Sequence, residues 1–264
     1  MFDYHIHSKY SKDGCEKIIT LCEEAIKKGL EEIAITDHYE LYQNPSVQHC
    51  MDFKGLYEDI KNCREVYKNI LSIKMGVEMG QPHHNLDLAN QTILHHPFDF
   101  VMASIHKLTD KFDIGICNFE GIDFNKLYTD YLNALIKMTQ TADFDILGHL
   151  TYPARYYFAH SKNYPDWTPF KSQFEYLFKE LIRQDKGIEI NCSEVFKPMG
   201  RTMPDLNILA LYKECGGKIL TIGCDSHRHE FLGSATNDGI KVAQQAGFSE
   251  ITKYTNRIPT FSKI

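Results

Sequence analysis

The chain has 264 residues, with 29 basic against 35 acidic side chains and a formal net charge of −6. Single barrels reach this size, so one large domain spanning residues 1–264 is expected. Lys and Arg form no cluster, which excludes the basic surface that nucleic-acid binding needs, and no apolar run is long enough to cross a bilayer.

The chain opens on Met1-Phe2-Asp3-Tyr4-His5, acidic rather than basic, and its eight cysteines are scattered without a CxxC pair. A cytoplasmic protein with reduced, mostly buried thiols is therefore expected. Composition leaves the oligomeric state open.

Short β-like runs alternate with helical ones along the chain. Phe2 to Ile6 reads as a strand. Glu16 to Lys28 follows, with Ile18, Ile19, Cys22, Ala25 and Ile26 at helical spacing and Gly29 at the place of a C-cap. Glu32 to Thr36 is a second β-branched run, and Phe53 to Asn69 a second helix. Further strands are expected at Ile73 to Val77, Phe100 to Ser104, Phe144 to Leu147, Gly187 to Asn191 and Lys218 to Gly223. Helices are expected between and after them, near 86–96, 124–141, 170–185, 204–215 and 235–246, with the last 17 or so residues as a tail. Seven β-α units with continuous apolar strands predict a parallel sheet buried on both faces, and the fold class is α/β with a closed or nearly closed barrel. An open doubly wound sheet fits the same alternation, because periodicity does not report closure.

Each strand-like run stops at or near a residue able to bind metal or carry a proton. These are His5-Ile6-His7, Asp37-His38, Glu78, His106, His149, Glu194 and Asp225-Ser226-His227. In a β/α barrel the C-terminal strand ends converge on one face, and that face carries the active site. An HxH on a strand sets both imidazoles on one side of the pleat, about 7 Å apart. Singly, each of these residues reads as readily as a satisfied core histidine or a helix cap. Their recurrence at the same end of successive strands is what points to a metal centre.

The set His5-Ile6-His7 with Asp13-Gly14, Thr36-Asp37-His38, Gly76-Val77-Glu78, Ala103-Ser104-Ile105-His106, Leu147-Gly148-His149 and Gly223-Cys224-Asp225-Ser226-His227 resembles the PHP family, named for polymerase and histidinol phosphatase. The resemblance runs from the first strand to the last. With Leu150-Thr151-Tyr152-Pro153-Ala154-Arg155-Tyr156 after the fifth strand, it is nearest to the family's free-standing histidinol-phosphate phosphatases. It implies a distorted (β/α)7 TIM-like barrel and three divalent metal ions. By the same resemblance His5, His7, Glu78 and Asp225 hold one metal; Glu78 bridges to a second with His106 and His149; Asp13, His38 and His227 hold a third. Some relatives place a histidine at the position of Asp13. The implied activity is hydrolysis of L-histidinol phosphate, a small-molecule phosphate ester, by metal-bound hydroxide.

Phosphate monoester hydrolysis is among the slowest uncatalysed reactions, so such a site must lower a very high barrier. Two metals about 3.5 to 4 Å apart activate a water at neutral pH and clamp the attacking and leaving oxygens. A carboxylate such as Glu78 suits bridging because it has two oxygens. Nitrogen and oxygen ligands without thiolate fit zinc, iron or manganese alike. Asp37 is expected either to accept the free ring N–H of a ligand histidine or to cap a helix. Arg155 and Arg201 follow the fifth and sixth strands and are expected to reach phosphate oxygens, a task suited to the guanidinium fork. Glu194 is placed to receive the ammonium or imidazolium of the substrate. The aromatic stretch from Tyr152 to Trp167 reads as a lid or pocket wall, or as packing over the rim. The alternatives are a PHP phosphoesterase acting on another small ester, nucleotide or phosphotyrosine, and a non-catalytic module with structural metals.

Overall fold

The computed structural model describes residues 1–264. Its strands are β1 (Phe2–Ile6), β2 (Glu32–Ile35), β3 (His38–Glu40), β4 (Ser72–Gly80), β5 (Phe100–Ser104), β6 (Lys107–Thr109), β7 (Phe112–Asp113), β8 (Ile146–Leu147), β9 (Gly187–Asn191), β10 (Leu220–Gly223), β11 (Glu250–Thr255) and β12 (Ile258–Lys263). Its helices are α1 (Ile18–Lys27), α2 (Phe53–Val66), α3 (Leu86–His95), α4 (Phe124–Thr141), α5 (Pro153–Ser161), α6 (Lys171–Arg183), α7 (Leu206–Glu214) and α8 (Thr236–Gln245).

The parallel order β1-β2-β4-β5-β8-β9-β10 forms the wall of the barrel, while β3 adds to β4 beyond the end of β2. Between β1 and β10 the seam is thin. It consists of the Ile6–Ser226 bridge, in which the His7 N–H donates to Ser226 O at 2.9 Å and the Ser226 N–H to His5 O at 3.2 Å. The seven strands thus make a nearly closed barrel, as the alternation of runs predicts, and the open-sheet alternative is set aside.

Burial on both faces explains why these strands carry so few polar residues. Outward side chains join helices α1 to α8 in one continuous apolar core, whereas Tyr4, Ala34, Phe100, Met102, Ile146 and Tyr254 fill the lower barrel interior. A register irregularity in β1 between Asp3 and Ile6 lets Tyr4 join that interior cluster while His5 aims into the site above. Re-aiming a side chain in this way is a common use of a bulge.

Two elements depart from expectation. The tail is a β-hairpin, β11 and β12, turned at Asn256 and Arg257 with φ of 51° and 63°. It stops the lower end of the barrel. The Tyr254 N–H donates to the Tyr4 hydroxyl at 2.9 Å, and Arg257 forks onto Asp143 and Asp145. The stretch 153–161 is a helix, α5, started by Pro153, whose fixed φ and missing N–H suit a first turn.

Candidate metal centre

His5 and His7 leave the end of β1, and β10 delivers Asp225 beside them across the seam. His5 Nε2 lies 3.2 Å from Glu78 Oε2, and His7 Nε2 lies 3.3 Å from Asp225 Oδ1. On the other side of Glu78, Oε1 is 2.7 Å from His149 Nε2 and 3.3 Å from His106 Nε2. Asp13 Oδ2, on the loop after β1, lies 3.5 Å from His38 Nε2 and 3.2 Å from His227 Nε2. His38 also turns Nδ1 to Glu78 Oε2 at 2.9 Å, and the His7 ring stacks between those of His38 and His227. All nine residues expected as ligands therefore converge, with Glu78 central and wholly buried.

The local backbone is shaped to this end. His149 and Asp225 have φ of 20° and 51°, a conformation that non-glycine residues hold only when their surroundings enforce it. Gly223 stands where a Cβ would collide with His5 and the Glu189 carboxylate, so the strands approach only because it has none.

Donor chemistry decides what the cluster suits. His7 Nε2 and His38 Nδ1 are buried beside carboxylate oxygens without making a well-aligned hydrogen bond, and His106 Nε2 faces His149 Nε2 at 3.2 Å. Ring nitrogens aimed at one another and at carboxylates, inside a protein, suit a cation at their focus. The donor groups His5-His7-Asp225, Glu78-His106-His149 and His7-His38-His227 each bring their atoms within 4.8 Å, which fits divalent metal ions. Burial would raise Glu78, but the charges of His5, His38 and His106 hold it well below the usual carboxylate range. Burial works against His106 too, yet Glu40 and Glu78 push it up to about 9, while burial and His38 bring His7 down to about 3.

Carboxylates behind the rings were not anticipated from the sequence. His106 Nδ1 lies 2.6 Å from Glu40 Oε1, and His5 Nδ1 lies 2.6 Å from Glu189 Oε1. Such partners fix the ring so that its other nitrogen faces the metal. The signals were available: Glu189 interrupts an apolar strand, and Glu40 shares a strand face with His38 two residues away.

Asp37 requires a correction, because it touches no ring and caps no helix. It accepts from the Ser8 N–H at 2.5 Å, the Ser8 hydroxyl at 2.7 Å and the Ser11 N–H at 3.1 Å, and so shapes the loop after β1. Ser11 Oγ is the group beside His7 Nδ1, at 3.0 Å.

A cavity of about 290 Å³ opens over the cluster. Arg155 lines it from α5, with Nη2 donating to Ser193 Oγ at 2.6 Å and to Asp225 Oδ2 at 3.3 Å, and its guanidinium over the Tyr152 ring. Glu40, Tyr42, Lys107, Asp113, Tyr152, Tyr156 and Lys12 line the same cavity. Arg201 lies elsewhere: it stacks on Tyr164 at 3.9 Å in a neighbouring cleft with Lys171 and Asp205. Glu194 does not line the cavity either. Its carboxylate is 2.9 Å from Lys197 Nζ and 3.7 Å from Arg155 Nε, so it backs the arginine. The one loop after β9 that carries both residues leads away from the mouth after Ser193. The aromatic stretch divides, since Tyr152 and Tyr156 form pocket wall whereas Trp167 packs against Tyr128 and Phe174.

A barrel with this ligand set at its C-terminal mouth defines a metal-dependent enzyme class, and the chain belongs to the PHP domain family, which it matches over residues 3–193. It is 30% identical to a histidinol-phosphatase of Lactococcus lactis subsp. lactis (strain IL1403), over 96% of this chain and 94% of the relative. It is 29% identical to a probable histidinol-phosphatase of Thermotoga maritima, over 94% and 93%. Among solved structures, it superposes on the histidinol phosphate phosphatase of Lactococcus lactis, complexed with zinc, L-histidinol and phosphate, with a TM-score of 0.84 and 26% identity, covering 98% of each chain.

Proposed function

We propose that this chain is a metal-dependent phosphomonoesterase that hydrolyses L-histidinol phosphate to L-histidinol and phosphate in histidine biosynthesis. The observation that carries the reading is one cavity lined by the histidine–carboxylate cluster together with Arg155, Glu40 and Asp113. The kinship of the whole chain to histidinol-phosphatases supports the choice of ester. One barrel domain, residues 1–264, carries the activity.

His5, His7, Glu78 and Asp225 would hold one ion, Glu78, His106 and His149 a second, and Asp13, His38 and His227 a third, drawn from zinc, iron or manganese. Bound there, divalent ions supply Lewis-acid activation of water and neutralise phosphate charge. Arg155 donates to non-bridging phosphate oxygens from a guanidinium already braced by Ser193, Asp225 and Glu194. Water oxygen adds to phosphorus, the bond from phosphorus to the substrate's alcohol oxygen breaks, and that oxygen leaves with a proton. The acidic wall takes over the role expected of Glu194. Asp113, paired with Lys107, and Glu40 face the organic end of the ester among Tyr42, Tyr152 and Tyr156, a setting that favours a cationic group.

Eight free cysteines agree with a reducing, cytoplasmic setting, and no helix is long and apolar enough to cross a membrane. The test is phosphate release from L-histidinol phosphate and from an aryl phosphate that bears no cationic group, by chelator-stripped protein, before and after adding zinc, iron or manganese. Metal-restored turnover strongly favouring histidinol phosphate is expected. Restored turnover of the aryl ester alone would move the assignment to another small phosphate ester, and no turnover with metal bound would leave a non-catalytic module.

A further inference from the structure

Glu189 lies in β9 below the cluster and is wholly buried. Its two oxygens serve different halves of the site. Oε1 is 2.6 Å from His5 Nδ1, while Oε2 accepts the backbone N–H of His149 at 2.7 Å and Asn191 Nδ2 at 3.3 Å. His5 belongs to the group around Asp225, and His149 to the group around His106. The same Asn191 amide reaches Asp225 Oδ2 at 3.3 Å, and Gly223 leaves no spare room beside Glu189.

Each contact has a defined consequence. With Nδ1–H held by the carboxylate, the lone pair of His5 resides on Nε2, the atom facing Glu78 and Asp225. The bond to the His149 N–H holds a backbone at φ 20° that relaxes without it. We propose that Glu189 is a positioning residue that couples two metal positions, fixing the tautomer of His5 and the pose of His149 with a single carboxylate. Glu40 orients a single ring by hydrogen bond: it touches His106 Nδ1 at 2.6 Å and Gln81 Nε2 at 2.8 Å, lies 4.0 Å from His38 Nδ1, and contacts no residue of the His5 group.

A glutamine has one acceptor oxygen for the three N–H donors that the Glu189 carboxylate serves. Either orientation of the amide turns its NH2 on His5 or on His149, and Glu78, shared between the groups, passes the disturbance across. Glu189→Gln is therefore expected to weaken zinc retention about 10- to 100-fold at both positions, a size typical of lost orienting partners, and Glu40→Gln at one. The measurement is zinc equivalents retained by folded protein against a graded series of chelator concentrations, with the melting temperature of metal-free and metal-loaded forms read alongside. The metal-free melting temperature is expected to hold while the rise on loading shrinks. Glu189→Asp keeps the charge but is too short for both contacts, and serves with the same expectation if the glutamine variant does not fold.

Wild-type retention in a folded variant, or loss confined to one position, overturns the coupling. The inference rests on the metal-centre reading. A wild type that holds no zinc would overturn that reading and the coupling with it, whereas equal zinc in wild type and variant overturns the coupling alone.

Discussion

Arg155→Lys tests whether the guanidinium is a phosphate clamp or only a brace for Asp225. In the structure Nη2 already serves Ser193 Oγ at 2.6 Å and Asp225 Oδ2 at 3.3 Å, and the plane lies over Tyr152, 5.2 Å from the ring centroid. Nε turns to Glu194 at 3.7 Å, which leaves the Nη1 N–H groups to meet an anion. A lysine keeps the charge and can still neutralise Asp225, but one ammonium cannot satisfy those partners and also present a planar fork to phosphate. The expected loss is one charge-assisted hydrogen bond, about 1.5 to 3 kcal/mol, or roughly 10- to 150-fold in kcat/KM. The assay is steady-state phosphate release with metal content determined on the same samples, so that a metal defect is separated from a substrate defect. Unchanged metal with a kcat/KM within about threefold of wild type would refute the clamp.

Glu78→Gln, which removes the carboxylate shared by the His5 and His149 groups, is expected to strip metal from both and abolish metal-restored turnover, checked by metal analysis after desalting. Asp113→Asn should cut kcat/KM for L-histidinol phosphate about tenfold or more, while sparing an aryl phosphate that bears no cationic group, because one charged contact to the cationic end is lost. Arg257→Met leaves Asp145 under the barrel without its partner and should cost about 2 kcal/mol in denaturant unfolding, discounted for the exposure of Asp143, with kcat unchanged. Burial and the neighbouring His84 hold His83 down to about 3, against an ordinary value near 6.5. Below about pH 6.5 the unfolded chain therefore binds a proton that the fold refuses, so stability falls with pH through that window, by at most about 1.4 kcal/mol per unit. His83→Gln should flatten this acid limb in melting curves taken from pH 7 to pH 4.

The barrel strands and the convergence of histidines and carboxylates at their ends were legible for the same physical reason. A strand buried on both faces has to be apolar, so a histidine or carboxylate at its end stands out, as with His106 after β5 and His149 after β8. Position beyond a strand end is weaker information. Arg201 and Glu194 share a loop with the right address, yet the path of that loop after Ser193 carries one into a neighbouring cleft and turns the other behind Arg155. Asp37 was misread because adjacency to His38 says nothing of side-chain direction: it faces the Ser8–Ser11 loop. The hairpin at β11 and β12 was hidden by its turn. Asn256-Arg257 lacks the glycine that usually marks two positive φ values in sequence, and the hairpin's burial comes from Tyr254 and Tyr4 meeting across 250 residues.

The thin seam between β1 and β10 has a consequence for how the enzyme comes into being. The residues proposed as ligands run from His5 on the first strand to His227 just past the last, and the same two segments close the wall. A nascent chain that has not yet delivered β10 lacks both the seam and two of the ligands. Completion of the groups that need Asp225 or His227 is thereby deferred until synthesis is nearly complete, and a truncated product ending before Asp225 would leave the ribosome with an open barrel and, of the three proposed metal positions, only the Glu78-His106-His149 group present.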